Sequence, residues 1–325
     1  MNNIKELLPD IEILENEPMS RHTTFKVGGP AEYFCEVNNK ADLHKVLSAA
    51  KKAHLPFFIF GGGSNLLVSD SGIKGLVIKM TEGDIEIFEN QVRVFAGNNL
   101  RAMIGQAISS GLAGLEFAAN IPGTVGGAIR GNAGAYGQGA GDFVYQVEAL
   151  NVDGAEVSLE LLSKGDCEFS YRDSVFKKRP ELIIAEGVFK LLSSRGDIKE
   201  RQEAVKKELA DRLAKQPYEC PSAGCTFKNA IFDDKFEELK AWEVHGKLPA
   251  ARLIQEAGLM GSSIGGAKVS EKHANFIYNS QDATARDIME LMEMVKKEVK
   301  EKFGVELEEE VQKVGEFMDH VSRNT

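Results

Sequence analysis

Between Gly111 and Gly141 runs GLAGLEFAANIPGTVGGAIRGNAGAYGQGAG, in which ten of 31 residues are glycine. Glycine gives up more backbone freedom on folding than any other residue, so this stretch predicts no regular structure of its own. It is too apolar for a flexible linker, and it is expected to be a packed functional loop that the rest of the chain is built to hold. A second cluster, Gly61, Gly62, Gly63, Ser64 and Asn65, directly follows the apolar run PFFIF. Successive N–H groups unobstructed by side chains can point at an anion there. The run does not fit G-x-G-x-x-G, because Leu66 stands where the last glycine belongs, and no G-x-x-x-x-G-K-[ST] occurs. Rossmann and P-loop readings therefore fail, and two glycine clusters in one region point to an extended phosphate-bearing ligand.

Periodicity organises the remainder. Leu43, Val46, Leu47 and Ala50 line one face of a helix over 41–53. Strands are expected at PFFIF, GLVIKM and QVRVFAG, and Asn98 or Asn99 can cap a helix that stops at Gly111. YQVEALNV, AEVSLEL and ELIIAEGVFKL alternate between Asp-Gly and Lys-Gly turns and predict an antiparallel sheet. IKERQEAVKKELADRLAKQ predicts a charged amphipathic helix ending before Pro217, with a domain boundary within or just after it. Two helical patterns follow. The second stripes Ile288, Leu291, Met292, Val295, Val299 and Phe303 after a start near Asp282 or Thr284, its methionines serving as core filler. In VELEEEV, strand alternation puts Val305, Leu307 and Val311 on one face and Glu306, Glu308 and Glu310 on the other.

Composition narrows the function classes. At 325 residues, two or three domains are expected, and the net charge of -10 argues against nucleic-acid binding. No apolar run approaches the roughly 20 residues that span a bilayer, and the first residues resemble neither a signal nor a transit peptide. Cys35, Cys167, Cys220 and Cys225 make neither a secreted disulfide framework nor a zinc spacing. No metal, membrane or obligate protein partner is expected, and the chain reads as cytoplasmic.

HTTFKVGGPAEY, GGGSNLLVSD, IPGTVGGAIRGNAGAYG, SYRDSVFK, PSAGCTFKN, GAKVSEKHANFIYN and LEEEV occur in this order over nearly the whole chain. In that order the chain closely resembles the UDP-N-acetylenolpyruvoylglucosamine reductase family. The resemblance implies an α+β fold with an FAD-binding fold of the vanillyl-alcohol-oxidase class. It further implies FAD-binding subdomains at 1–80, with 304–325 packing back near the site, and at 81–215, and an α+β substrate-binding domain at 216–303. FAD is the implied cofactor, NADPH the hydride donor and UDP-N-acetylglucosamine enolpyruvate the substrate. Gly61, Gly62, Gly63, Ser64 and Asn65, with Ile121, Pro122, Gly123, Gly126 and Gly127, are the implied FAD contacts. Arg130 and Gly131 are assigned no role. An FAD-linked sugar or alcohol oxidase and a non-catalytic nucleotide-sugar binder are the competing readings.

Reducing an enolpyruvyl ether takes a hydride to one alkene carbon and a proton to its neighbour, while charge develops toward the carboxylate. By resemblance Arg172 stabilises that charge, Cys225 donates the proton and Glu310 orients the carboxylate or relays the proton. On the residues alone, Arg172 equally reads as a surface partner of Asp173 or Glu168, Cys225 as a small buried residue, and Glu310 as one of three acidic residues on an edge strand. Relatives commonly carry serine where Cys225 stands. A thiol, ordinarily titrating near about 8.5, is a far stronger acid than an alkyl hydroxyl, so the role is preserved. Tyr171, Lys228, Asn229, Lys268, His273 and Asn275 are the implied substrate-side residues.

Overall fold

The computed structural model describes residues 3–135, 137–193, 196 and 198–317. Tyr136, in the second glycine motif, and 318–325, part of the C-terminal segment expected near the site, lie outside the described residues. The chain divides into two compact units: Met1–Glu15, Tyr33–Gly62 and Gly75–Arg212 form one, and Asn16–Glu32, Gly63–Lys74 and Leu213–Thr325 the other. The division falls inside GGGSN, between Gly62 and Gly63.

The first unit contains an antiparallel sheet in the order Ser158–Ser163, Val144–Asn151, Leu182–Lys190, Gln91–Phe95, Ile85–Phe88. Its three long strands are those predicted by alternation, with Leu150 opposite both Leu159 and Ile183. Phe57–Phe60 pairs in parallel with residues 76–79. The helix Lys40–Lys52 buries Leu43, Val46, Leu47, Ala49 and Ala50, and Asn39 caps it by accepting from the Asp42 N–H. Asn99, not Asn98, caps Leu100–Ser109. Asn98 is buried and donates to the carbonyls of Asp84 and Phe95.

The glycine-rich stretch departs from expectation. It holds a helix, Val125–Arg130, capped by Thr124, together with short paired strands at Gly134–Ala135 and Gln138–Gly139. Tertiary packing overrides propensity there. A Cβ on Gly126 would lie 2.9 Å from the Ala96 Cβ, and Val125, Ala128 and Ile129 are buried. The helix Ile198–Lys215 fully buries none of its residues, while Ile198 and Val205 pack half-buried against the core. Hydrogen bonds fasten it to the glycine-rich stretch: Arg201 Nη1 donates to the Leu112 carbonyl at 2.7 Å, and Asn120 Nδ2 donates to the Val205 carbonyl at 3.4 Å.

In the second unit the helix Ala285–Phe303 buries Ala285, Ile288, Leu291, Met292, Val295 and Val299, nearly the predicted stripe. Each large side chain so buried contributes roughly 1.5–3 kcal/mol. Thr284 caps it in a capping box with Asp287, and Gly304 ends it at φ 68°. Asp70, the last residue of GGGSNLLVSD, adds a second cap: its two carboxylate oxygens accept from the Ala285 and Arg286 N–H groups at 2.8 and 3.1 Å. Strands Ser222–Cys225, Phe276–Asn279, Ala267–Val269 and Ser263–Ile264 form a sheet in that order. Gln312–Val314 pairs in parallel with Leu66–Val68. Among the described residues no helix is long and apolar enough to cross a membrane, and no group of three or more His, Cys, Asp or Glu side chains could hold a metal ion.

Candidate active site

In the first unit the two glycine clusters meet. A Cβ on Gly61 would lie 2.4 Å from Thr124 Oγ1, so glycine is required there for the backbones to approach. Gly62 differs. Its Cβ would sit 3.5 Å from the Gly123 Cα, an ordinary contact, and the residue is exposed. Gly127 is likewise exposed, and a Cβ there would meet only Thr124 Oγ1 at 3.5 Å. Protein packing needs no glycine at these two positions, so they leave a bare surface beside the exposed Pro122 and the half-buried Ile121 and Gly123. The segment is anchored from behind: Leu100 N–H donates to the Gly123 carbonyl, Val125 N–H to Asn98 and Gly126 N–H to Ala96. A rigid backbone stripped of side chains fits the diphosphate of a dinucleotide such as FAD.

Ser170 and Asp173 exchange backbone hydrogen bonds at 3.1 and 3.2 Å, closing a tight turn with Tyr171 and Arg172 at its tip. Arg172 adopts φ 56°, an uncommon backbone for a non-glycine residue that strains the tip. Two bonds hold the turn to the end of the Val125–Arg130 helix and its continuation. Asn132 Nδ2 donates to the Ser170 carbonyl at 2.8 Å, and Ser174 Oγ donates to the Arg130 carbonyl at 2.7 Å. Asn132 Oδ1 also accepts from the Gly141 N–H at 2.9 Å. The Arg172 guanidinium carbon lies 5.9 Å from the centroid of the Tyr171 ring, which is 47% exposed. Glu168, one surface partner suggested by sequence, pairs with Lys178 at 2.7 Å. Burial lowers the pKa of the half-buried Arg130, opposed by the negative charge of Asp173.

The second unit carries Cys225 and Glu310. Cys225 ends a strand whose register with Phe276–Asn279 shifts between Ser222 and Cys225, and Gly224 at φ 79° supplies the left-handed residue at that bulge. Bulges re-aim the side chains that follow them. VELEEEV forms no continuous ladder, contrary to the strand expected there. Its Glu309 makes an isolated bridge with Phe227, flanked by bonds from Lys228 N–H to the Glu308 carbonyl and from Glu310 N–H to the Thr226 carbonyl, both 2.8 Å. The alternation in burial survives, with Val305, Leu307 and Val311 buried.

The three glutamates expected on one face are separated. Glu306 and Glu308 are exposed and pair with Lys300 at 2.6 Å and Lys228 at 3.1 Å, whereas Glu310 is half-buried. The Glu310 carbonyl accepts from Asn65 Nδ2 at 2.9 Å, and the Asn65 carbonyl accepts from the Gln312 N–H at 2.9 Å. Glu309 is also half-buried; burial opposes its charge, but hydrogen bonds from Lys313 and Lys296 hold its pKa below the usual carboxylate range. Gly63 is buried at φ 62°, and a Cβ there would lie 2.1 Å from the His22 carbonyl oxygen. Ser64 beside it is half-buried.

The remaining sequence-derived residues lie in this unit except Tyr171. Lys228 and Lys268 form ion pairs with Glu308 and Glu271, the latter at 3.0 Å and raising the Lys268 pKa. Asn229 Oδ1 accepts from the Ala250 N–H at 3.1 Å, capping a helix that Pro249 cannot cap. His273 stacks edge-on against Phe276 with centroids 4.9 Å apart, and burial pushes its pKa down. Sequence reasoning overlooked Thr226, fully buried between Cys225 and Phe227, and Asn132, whose φ of 41° was the available signal in GNAG only once a structure existed.

The family described as FAD binding domain matches residues 31–160, and the family described as UDP-N-acetylenolpyruvoylglucosamine reductase, C-terminal domain, matches residues 216–314. An α+β chain with an FAD-binding domain is a flavoprotein, as the sequence led us to expect. A UDP-N-acetylenolpyruvoylglucosamine reductase from Caldanaerobacter subterraneus subsp. tengcongensis is 39% identical over 317 residues, spanning 97% of this chain and 98% of the relative. One from Anoxybacillus flavithermus is 41% identical over 305 residues, spanning 93% and 94%. The crystal structure of UDP-N-acetylenolpyruvylglucosamine reductase from Thermus caldophilus matches with a TM-score of 0.72 at 30% identity, covering 94% of this chain and 99% of that one. The chain belongs to the UDP-N-acetylenolpyruvoylglucosamine reductase family.

Proposed function

We propose that this chain reduces UDP-N-acetylglucosamine enolpyruvate to UDP-N-acetylmuramate with NADPH, through FAD, in peptidoglycan precursor synthesis. The observation that carries the reading is kinship along essentially the whole chain to reductases of this name. The bare surface at Gly62, Gly123 and Gly127 supports it, as does the pairing of the Cys225 segment with the Glu310 segment. Cytoplasmic localisation and service to cell shape and division follow from that reading.

When bound, FAD would supply the hydride-transfer chemistry that links NADPH to the substrate alkene. Gly61, Gly62, Gly63, Ser64 and Asn65, with Ile121, Pro122, Gly123, Gly126 and Gly127, would hold it. The Cys225 thiol gives its proton from Sγ to the alkene carbon next to the one that receives hydride. Arg172 presents a planar, permanently charged guanidinium to the substrate carboxylate, where negative charge grows. Glu310 orients that carboxylate or relays the proton. Tyr171, Lys228, Asn229, Lys268 and His273 serve the sugar-nucleotide side. Functionally, 1–80 and 81–215 serve the cofactor, and 216–303, together with Glu310, the substrate.

An anaerobic absorbance titration tests this reading. NADPH should bleach the bound flavin, and the enolpyruvyl sugar nucleotide should restore its colour. A colourless protein, or a bleached flavin that the sugar nucleotide leaves unchanged, would remove the proposal.

A further inference from the structure

We propose that Asn275 is a positioning residue that fixes the backbone carrying Cys225 and Glu310, instead of a contact to the sugar nucleotide. This rests on the assignment of Cys225 and Glu310 to proton delivery. Asn275 is only 3% exposed, and both ends of its amide are engaged. Oδ1 accepts from the Phe227 N–H at 3.0 Å, and Nδ2 donates to the Phe227 carbonyl at 2.8 Å. Its own carbonyl accepts from the Thr226 N–H at 2.8 Å. Three hydrogen bonds from one residue thus hold the two residues that immediately follow Cys225.

The need for them lies in the bulge. Cys225 opposite Phe276 is the last ladder pair of its strand, so on that side the Phe227 backbone has no strand to bond, its opposite side facing Glu309. A side-chain amide offers one donor and one acceptor, like a peptide group, and Asn275 serves as an extra rung for Phe227. The clamp extends to the glutamate, because the Thr226 carbonyl accepts from the Glu310 N–H at 2.8 Å, while Thr226 Oγ1 accepts from the Ile277 N–H at 3.3 Å. Thr226, Phe227, Phe276 and Ile277 are all buried, so water cannot replace a lost bond. Asn275→Asp keeps the shape and the acceptor but sets an oxygen against the Phe227 carbonyl.

The test compares wild-type and Asn275→Asp holoenzyme. Mis-set acid chemistry should lower kcat by about 30-fold or more, within the range general acids contribute. The KM and the dissociation constant for the enolpyruvyl sugar nucleotide should change by less than about threefold, and flavin bleaching by NADPH should be unaltered. A tenfold weaker dissociation constant with kcat preserved would make Asn275 a substrate contact and overturn the proposal. Amide exchange in the unsubstituted holoenzyme gives a second measurement, independent of whether the variant folds: the Phe227 and Glu310 amides should exchange slowly, and a Phe227 amide exchanging like an exposed one also overturns it. Failure of the functional reading looks different, as wild-type flavin that the sugar nucleotide does not reoxidise while Phe227 stays protected.

Discussion

In the first unit a surface is prepared by leaving side chains out: Gly62 and Gly127 are bare where protein packing would admit a methyl group. In the second unit the side chains proposed to react are held by adding polar groups, with Asn275, Thr226 and Asn65 fastening the backbone around Cys225 and Glu310. The two strategies fail in opposite ways. The first is vulnerable to an added carbon, the second to a lost hydrogen bond. Arg172 stands between these styles, a charged side chain on a strained turn that is itself held by Asn132 and Ser174.

The largest effect should come from the second unit. Cys225→Ala is expected to lower kcat by about 10²–10⁴-fold, the usual contribution of a general acid, with Cys225→Ser retaining measurable turnover. Equal rates in all three proteins would take Cys225 out of the mechanism. Within GGGSN, Gly63→Ala should cost about 2 kcal/mol or more in denaturant unfolding, because it strains φ and drives a carbon into the His22 carbonyl. Gly62→Ala should leave unfolding within about 0.5 kcal/mol of wild type yet weaken FAD about tenfold in fluorescence titration, as expected when a methyl group costs about 1.4 kcal/mol of binding. Unchanged FAD affinity would show that the bare surface at Gly62 is not used. Asn229→Ala should cost about 1 kcal/mol in denaturant unfolding through the lost cap on the Ala250 N–H.

The smallest effect concerns pH. Burial depresses the His273 pKa in the folded protein, so the unfolded chain binds the proton more readily. Its neutral form is fully compatible with folding above an unfolded pKa near about 6.5, and stability is lost as pH falls below that value toward the folded pKa. Between pH 7 and 5.5 the melting temperature of wild type should fall more than that of His273→Gln; parallel curves would exclude the buried histidine as the cause.

Much of this contrast was readable from the amino acids. The stripe from Ile288 to Val299, the Thr284 start and the alternating strands of the large sheet depend on periodicities that local physics imposes. The short helix at Val125 was hidden, because Gly126 and Gly127 each cost about 1 kcal/mol in a helix and the compensation comes from Ala96, distant in sequence. VELEEEV misled for a related reason: alternation reports which side chains are buried, not which backbone groups are paired. No periodicity distinguished Glu310 from Glu306 or Glu308. The family motif selects Glu310, which is half-buried and bonded through its backbone to Thr226 and Asn65, whereas the Glu306 and Glu308 side chains pair with lysines in solvent. Nor does any spacing reveal that the side chain of Asn275 is spent on Phe227.

The interleaving of the units has a consequence for synthesis on the ribosome. Most of the first unit is made in one continuous passage, from Tyr33 to Arg212 apart from Gly63–Lys74. The second begins with Asn16–Glu32 and 63–74, then waits for everything after Arg212. Until the last portion emerges, Leu66–Val68 lacks the Gln312–Val314 strand and Asp70 has no helix to cap. A nascent chain therefore carries an unpaired apolar strand through most of its translation, which makes that early segment the natural place for a chaperone to hold.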